Sequence, residues 1–237
     1  MSQLLTLVIV FLAIFTQSLT GFGSGLVSMA FLPDILGVRT AVPLVVLVTS
    51  TVEAFLLVRY RSAFNFKAVW LLTLASIIGI PIGVWALRGL NEELLLTVLG
   101  AIMAGYALYA LLNFKLPELK HPAWAILFGF CAGLLSGAYS VGGPPAIIYG
   151  SCRRWNPQEF KSNLQGFFLV NDTLAILGHG ISGNLTTVVW RTYILVLPAI
   201  ALGILVGTGL DRYINPRIFR KMVLILLVVM GVRMMLF

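Results

Sequence analysis

Six stretches of this chain are apolar over close to the full width of a bilayer: 41–58, 68–87, 94–112, 162–178, 191–210 and 220–237. Crossing the hydrocarbon region takes about 20 such residues. A water-soluble domain would have to hide all six, and the chain has little to hide them behind. Of its residues 59% are hydrophobic and only 10% are charged, with a mean hydropathy of +1.01. A surface facing water needs far more charge than that. The chain is expected to be an all-α polytopic membrane protein. Trp70, Trp85, Trp124, Trp155 and Trp190 fall near the ends of the apolar stretches, where an interfacial belt would hold them. The net charge of +8 then reads as Lys and Arg facing a cytoplasmic membrane surface. No basic soluble segment is present, which argues against a nucleic-acid partner.

The chain also repeats itself. "SLTGFGSG" at 18–25 parallels "LLSGAYSVGG" at 134–143, with Thr20-Gly21 matching Ser136-Gly137. "FKAVW" (66–70) parallels "TTVVW" (186–190), and "GIPIG" (79–83) parallels "GILVG" (203–207). Asn91 precedes "EELLLTVL" as Asn215 precedes "PRIFRKMVL". The order is kept throughout, so two repeats are expected, 1–115 and 121–237, joined by "KLPELKH" (115–121) within one integral membrane domain. Each repeat holds one Gly-interrupted segment (3–37 and 122–151) followed by three uninterrupted spans. The first 20 residues carry no Lys or Arg, so the start reads as a retained membrane segment rather than a signal peptide.

Charge decides how the interrupted segments are threaded. Short cytoplasmic loops collect Lys and Arg. If each interrupted segment crosses once, the basic residues divide nine against seven between the two sides, which shows no preference. If each is a hairpin that enters and leaves on one side, Arg59, Arg61, Lys67, Lys115, Lys120, Arg153, Arg154, Lys161, Arg212, Arg217, Arg220 and Lys221 share a side. Only Arg39, Arg88, Arg191 and Arg233 remain on the other. The hairpin threading is the asymmetric one. It makes each repeat cross an odd number of times, so the two repeats are inverted and both termini are extracytoplasmic. Each repeat is then a broken or re-entrant helical hairpin plus three transmembrane helices.

The interruptions carry the functional expectation. Gly and Pro are poor material for a helix interior, and irregular backbone at membrane depth is tolerated only inside protein or along a watery cavity. Hairpins dipping from opposite faces would bring "TGFGSG" and "SGAYSVGGPP" together, the arrangement of secondary transporters with inverted repeats. A helix N-terminus presents unpaired N–H groups and about half a positive charge, which suits an anion. The substrate-binding candidates are therefore Thr20, Gly21, Gly23, Ser24 and Gly25 at the first tip, and Ser136, Gly137, Tyr139, Ser140, Gly142, Gly143 and Pro144 at the second. Asn163 and Gln165, on the span that follows, are added as amides able to bond an oxyanion. Gly-rich patches also serve as close-packing surfaces between membrane helices, and for a single glycine that reading has equal weight.

Two segments, "TGFGSGLVSMAFLP" and "SGAYSVGGPPAIIYG", resemble the paired signature segments of the TauE/SafE family, also called the 4-toluene sulfonate uptake permeases. The resemblance covers essentially the whole chain. The first segment departs from the pattern in carrying Ser24 between glycines and no proline pair. The resemblance implies a secondary carrier of small sulfur-containing anions, such as sulfite, sulfoacetate or related sulfonates, exported across the inner (plasma) membrane. Another small anion or a neutral sulfur compound is the alternative cargo.

Two acids lie within spans at nearly equivalent repeat positions, Glu53 and Asp172. Acids at membrane depth mark pathways, proton relays or partners, so both are candidates for proton coupling. Against this, Glu53 is six residues from Arg59 and has that pairing open to it. Neither metal nor cofactor is expected. Cys131 and Cys152 form no CxxC or Cys/His cluster, and no HExxH or nucleophile–base set supports an embedded enzyme. His121 and His179 sit at span ends and read as interfacial.

Overall fold

A computed structural model describes residues 2–112, 116–210 and 213–236. Lys115, Arg212 and the side chain of Arg217 lie outside the described residues. Ten α-helices account for nearly all of the rest. α1 (Ser2–Thr20) and α2 (Ser24–Leu36) form the first broken segment, followed by α3 (Val38–Tyr60), α4 (Phe66–Gly89) and α5 (Glu92–Leu111). α6 (Ala123–Tyr139) and α7 (Gly143–Cys152) form the second, followed by α8 (Pro157–Ile181), α9 (Thr187–Leu210) and α10 (Pro216–Leu236). Both halves follow the expected order of a broken pair and three long helices.

Local chemistry sets the boundaries. Asn156 caps α8 by accepting from Gln158 and Glu159, while Glu159 reaches back to the Asn156 N–H and Pro157 takes the first helical position. That reciprocal pairing satisfies donors that would otherwise be orphaned. Asn91 caps α5 more simply, accepting from the Leu94 N–H at 2.9 Å, with Glu92 and Glu93 in the positive first turn. Between α1 and α2, Gly21 and Gly23 sit at φ 85° and 102°, backbone that an L side chain rarely adopts.

The outer surface is oily. Ile78, Trp85, Leu205 and Ile181 are 65%, 71%, 66% and 90% exposed. Five helices, α1, α3, α4, α5 and α9, are long and apolar enough to cross a membrane. Not among them are α8 and α10, which hold the expected spans 162–178 and 220–237, because polar and charged side chains interrupt their apolar runs. The shorter apolar α2 and α6 belong to the broken pairs. An apolar surface is how a multi-pass membrane protein meets lipid, and here the interior is largely apolar as well. Trp70, Trp85, Trp124 and Trp190 are all partly exposed near helix ends.

Glycines weld the long arm of each broken pair to a helix of the other half. Gly129, Gly133 and Gly137 of α6 lie against the backbone of Leu72, Ser76 and Ile80 of α4, in that order, and Gly79 and Gly83 of α4 return the contact. A Cβ at any of these positions would overlap backbone, the close approach that small residues four apart permit. α4 and α6 therefore run parallel. Gly203 and Gly207 of α9 sit likewise on Phe11–Ile14 and Phe15–Ser18 of α1, so α1 and α9 are also parallel. "GIPIG" and "GILVG" do the same job, each packing against the long arm of the other half's broken pair.

The remaining equivalent helices meet each other directly. Thr49 of α3 bonds Asp172 of α8, while the Asn65 N–H beyond the end of α3 donates to Asn163 near the start of α8, at 2.9 Å. α3 and α8 are thus antiparallel. Gly100 of α5 abuts Met234 and Met235 of α10, while Gly231 abuts Ala104, so that pair is antiparallel too.

The basic residues sort by end. Lys161 lies over the Tyr60 ring, Arg153 donates to the Leu119 and Lys120 carbonyls, and Arg154 to the Leu116 carbonyl. A cavity joins Leu116 and Ser151 to Arg220. At the opposite end, Arg39 donates to the carbonyls of Arg88 and Leu90, Glu92 accepts from the Val38 N–H, and Arg233 pairs with Asp34 at 2.8 Å.

Candidate functional site

The two breaks meet. A Cβ on Gly25 would strike the Ser140 carbonyl oxygen, so the start of α2 touches the end of α6 backbone to backbone. One cavity receives both tips. The first tip gives Gly23, Ser24 and Gly25, and the second gives Ser136, Ser140, Gly142 and Gly143. Thr49 and Glu53 from α3, Phe168 and Asp172 from α8, and Gln17 from α1 close it. Thr49 is near the middle of α3, so the cavity lies deep within the helical layer. It measures about 30 Å³, room for water but not for an oxyanion until its walls part.

The tips offer unequal donors. α2 begins Ser24, Gly25, Leu26, and among the described residues the first intrahelical bond is from Val27 N–H to the Gly23 carbonyl, at 2.9 Å. The three N–H groups before it have no intrahelical partner, and their residues line the cavity. α7 begins Gly143, Pro144, Pro145, and prolines have no N–H to give. Its first turn keeps only the Gly143 donor, yet the prolines fix the backbone where the helix restarts. Ser140 holds a left-handed φ of 55°, and its hydroxyl is buried without a hydrogen-bond partner.

The carboxyl groups of Glu53 and Asp172 face one another across the α3–α8 contact, with Gln17 against Glu53. Both residues are about 95% buried, and Glu53 Oε2 has no hydrogen-bond partner. Thr49 donates its hydroxyl to Asp172. Glu53 therefore meets Asp172 rather than Arg59, whose guanidinium lies by the Tyr60 ring. Among the described residues, no basic side chain pairs with either acid.

Gln17 organises the first tip, and sequence reading did not single it out. Its Oε1 accepts from Ser24, and its Nε2 donates to Gln165 Oε1 at 3.1 Å. Gln165 in turn donates to the Gly21 carbonyl. The signal available beforehand was a long amide side chain one turn before the break, flanked by the shorter polar Thr16 and Ser18.

Other candidates take different places. Thr20 donates to the carbonyls of Thr16 and Phe22, closing the turn. Gly137 faces Ile80 of α4 as the last of the glycine stripe. Tyr139 and Pro144 are buried beside the second tip without lining the cavity. Asn163 spends its carbonyl on the Asn65 N–H at the start of α4. His179, expected at the interface, is fully buried and bonded through Nδ1 to Asn184 at 3.0 Å; the loop after α8 folds back over it. His121 is exposed. No group of metal-ligating side chains occurs among the described residues.

Broken helices meeting over buried acids inside a lipid-facing shell define a membrane transporter. The chain belongs to the sulfite exporter TauE/SafE family, whose model matches residues 6–234. It is 26% identical, over 226 residues, to a probable sulfite/organosulfonate exporter TauE of Cupriavidus necator, covering 93% of this chain and 88% of that protein. No solved structure matches.

Proposed function

We propose that the chain is a secondary carrier that exports a small sulfur-containing anion, such as sulfite, sulfoacetate or a related sulfonate, across the inner membrane together with protons. The observation that carries the reading is the shared cavity: unpaired N–H groups of α2 and two carboxyl groups border the same space. Donors at a helix start attract an anion. Carboxylates beside it repel one unless they hold a proton. An anion therefore occupies this cavity on favourable terms when protons accompany it, which ties the two movements together. Similarity to the probable exporter of Cupriavidus necator supports sulfur oxyanions as cargo.

Inverted repeats spanning 1–115 and 121–237 fit this mechanism. In support, α3 and α8 occupy the same place in each half and run antiparallel, as do α5 and α10. The basic end, carrying Arg59, Arg61, Lys120, Arg153 and Arg154, faces the cytoplasm under the positive-inside rule, leaving both termini outside.

The test is flux in proteoliposomes. Labelled sulfite and sulfoacetate should move through the reconstituted protein, and an imposed pH gradient should change the rate. Flux of neither anion under any gradient would refute the reading. Backbone donors recognise charge more than element, so movement of a different small anion in the same assay would reassign the cargo and keep the carrier.

A further inference from the structure

A second polar cavity lies between the site and the basic end. It measures about 190 Å³ and is lined by Tyr106, Tyr109, Ser151 and Arg220, with Ile147 and Ile148. Tyr106 is 6% exposed, and its hydroxyl lies beside the Arg220 guanidinium with no acceptor for its own proton among the described residues. A buried hydroxyl left unpaired costs about 1–3 kcal/mol, so it calls for a ligand that supplies an acceptor. Arg220 makes no ion pair with a carboxylate among the described residues. Its guanidinium lies over the Phe22 ring, 5.3 Å from the centroid. Arg154 stands at the rim, bonded to the Leu116 carbonyl at 3.1 Å.

The cavity borders the central site through shared wall residues. A small intervening space, about 10 Å³, is lined by Tyr106 and Arg220 on one side and by Phe22, Gly23 and Leu26 on the other. Gly23 and Leu26 also line the central cavity. Three spaces thus run in series, and Phe22, the residue between the two left-handed glycines of the first tip, stands at the narrow middle.

We infer that Arg220 and Tyr106 form an outer binding site for a small oxyanion, which reaches the amide donors of α2 by passing Phe22. A guanidinium and a neutral hydroxyl together suit a sulfonate or sulfite oxygen array. The same chemistry would hold the phosphate of an anionic lipid, since Arg220 is exposed; the solution anion is favoured because Tyr106 is buried behind it. The identity of the anion rests on the transport reading, whereas the site rests on its own geometry.

The experiment uses the full chain with Cys131→Ala, Cys152→Ala and Ser151→Cys, the new thiol being exposed at the cavity wall. Maleimide labelling is followed in detergent with sulfoacetate titrated in, and in nanodiscs of zwitterionic or anionic lipid. Sulfoacetate should slow labelling, and Arg220→Gln should raise the concentration required at least about tenfold, the effect of losing a charged hydrogen bond. Arg220→Lys should recover part of the loss. Tyr106→Phe, which keeps the ring packing, should weaken protection by a smaller factor. Labelling indifferent to sulfoacetate, or protected equally in Arg220→Gln, overturns the inference. So does protection by anionic lipid alone. Protection without flux in proteoliposomes would leave this site standing and remove the transport reading.

Discussion

Gly25→Ala adds a single methyl group where the two broken segments touch. The Ser140 carbonyl oxygen lies well inside contact distance of that methyl, and both partners are backbone, so neither has a flexible end to swing away. Relieving the overlap takes roughly 1 Å of separation between the start of α2 and the end of α6. Overpacking of this kind costs about 1–3 kcal/mol. The displacement also carries the Ser24, Gly25 and Leu26 donors away from the Thr49–Asp172 wall, so transport should fall further than stability does. Thermal unfolding in detergent and flux in proteoliposomes measure the two effects on the same preparation. Gly105→Ala is the matched control, because a Cβ there meets nothing within 4 Å; it should unfold and transport like the parent. Unchanged stability and flux in Gly25→Ala would refute the contact between the tips and the site built upon it.

Further outcomes are expected. Gln17→Leu strands the Ser24 hydroxyl and the Gln165 amide, costing about 1–3 kcal/mol for each buried group left unpaired; a thermal midpoint equal to the parent's would contradict that role. Gly133→Ala puts a methyl on the Ser76 backbone, 2.7 Å from its Cα, and should destabilise the α4–α6 weld by about 1–3 kcal/mol, whereas Gly209→Ala, in open space, should not. Asp172→Asn should leave flux insensitive to an imposed pH gradient, and retention of the parent's pH response would rule out proton handling at that carboxyl. Arg61→Cys and Arg191→Cys, both exposed, should be labelled from opposite faces of oriented vesicles; labelling from one face would disprove the threading.

The spans and breaks were legible because lipid imposes them: a helix facing oil must be apolar, and a chain that interrupts itself there leaves Gly and Pro behind. Glu53 and Asp172 stood out for the same reason, as charges in the wrong solvent. What joins them was not legible. Their meeting depends on the crossing of α3 and α8, which the apolar pattern of either helix leaves open. Gly137 carries its explanation in spacing, since Gly129 and Gly133 precede it at intervals of four, but a motif centred on residue 140 draws it toward the tip. Gln17 looks like any polar residue bonding between helices, and Arg220 like any arginine at an interface. Only the fold brings Gln17 to Ser24 or seats Arg220 upon Phe22.

The glycine welds also decide what can move. α6 is fastened along its length to α4, and α1 to α9, so each half has lent its longest broken arm to the other. Rocking the two halves apart at their junction would tear both seams at once. The mobile bodies of an alternating cycle must therefore be mixed blocks, each drawn from both ends of the polypeptide, sliding along the thinner contacts around the site. A chain cut near residue 115 would consequently yield fragments that regain function only in each other's company.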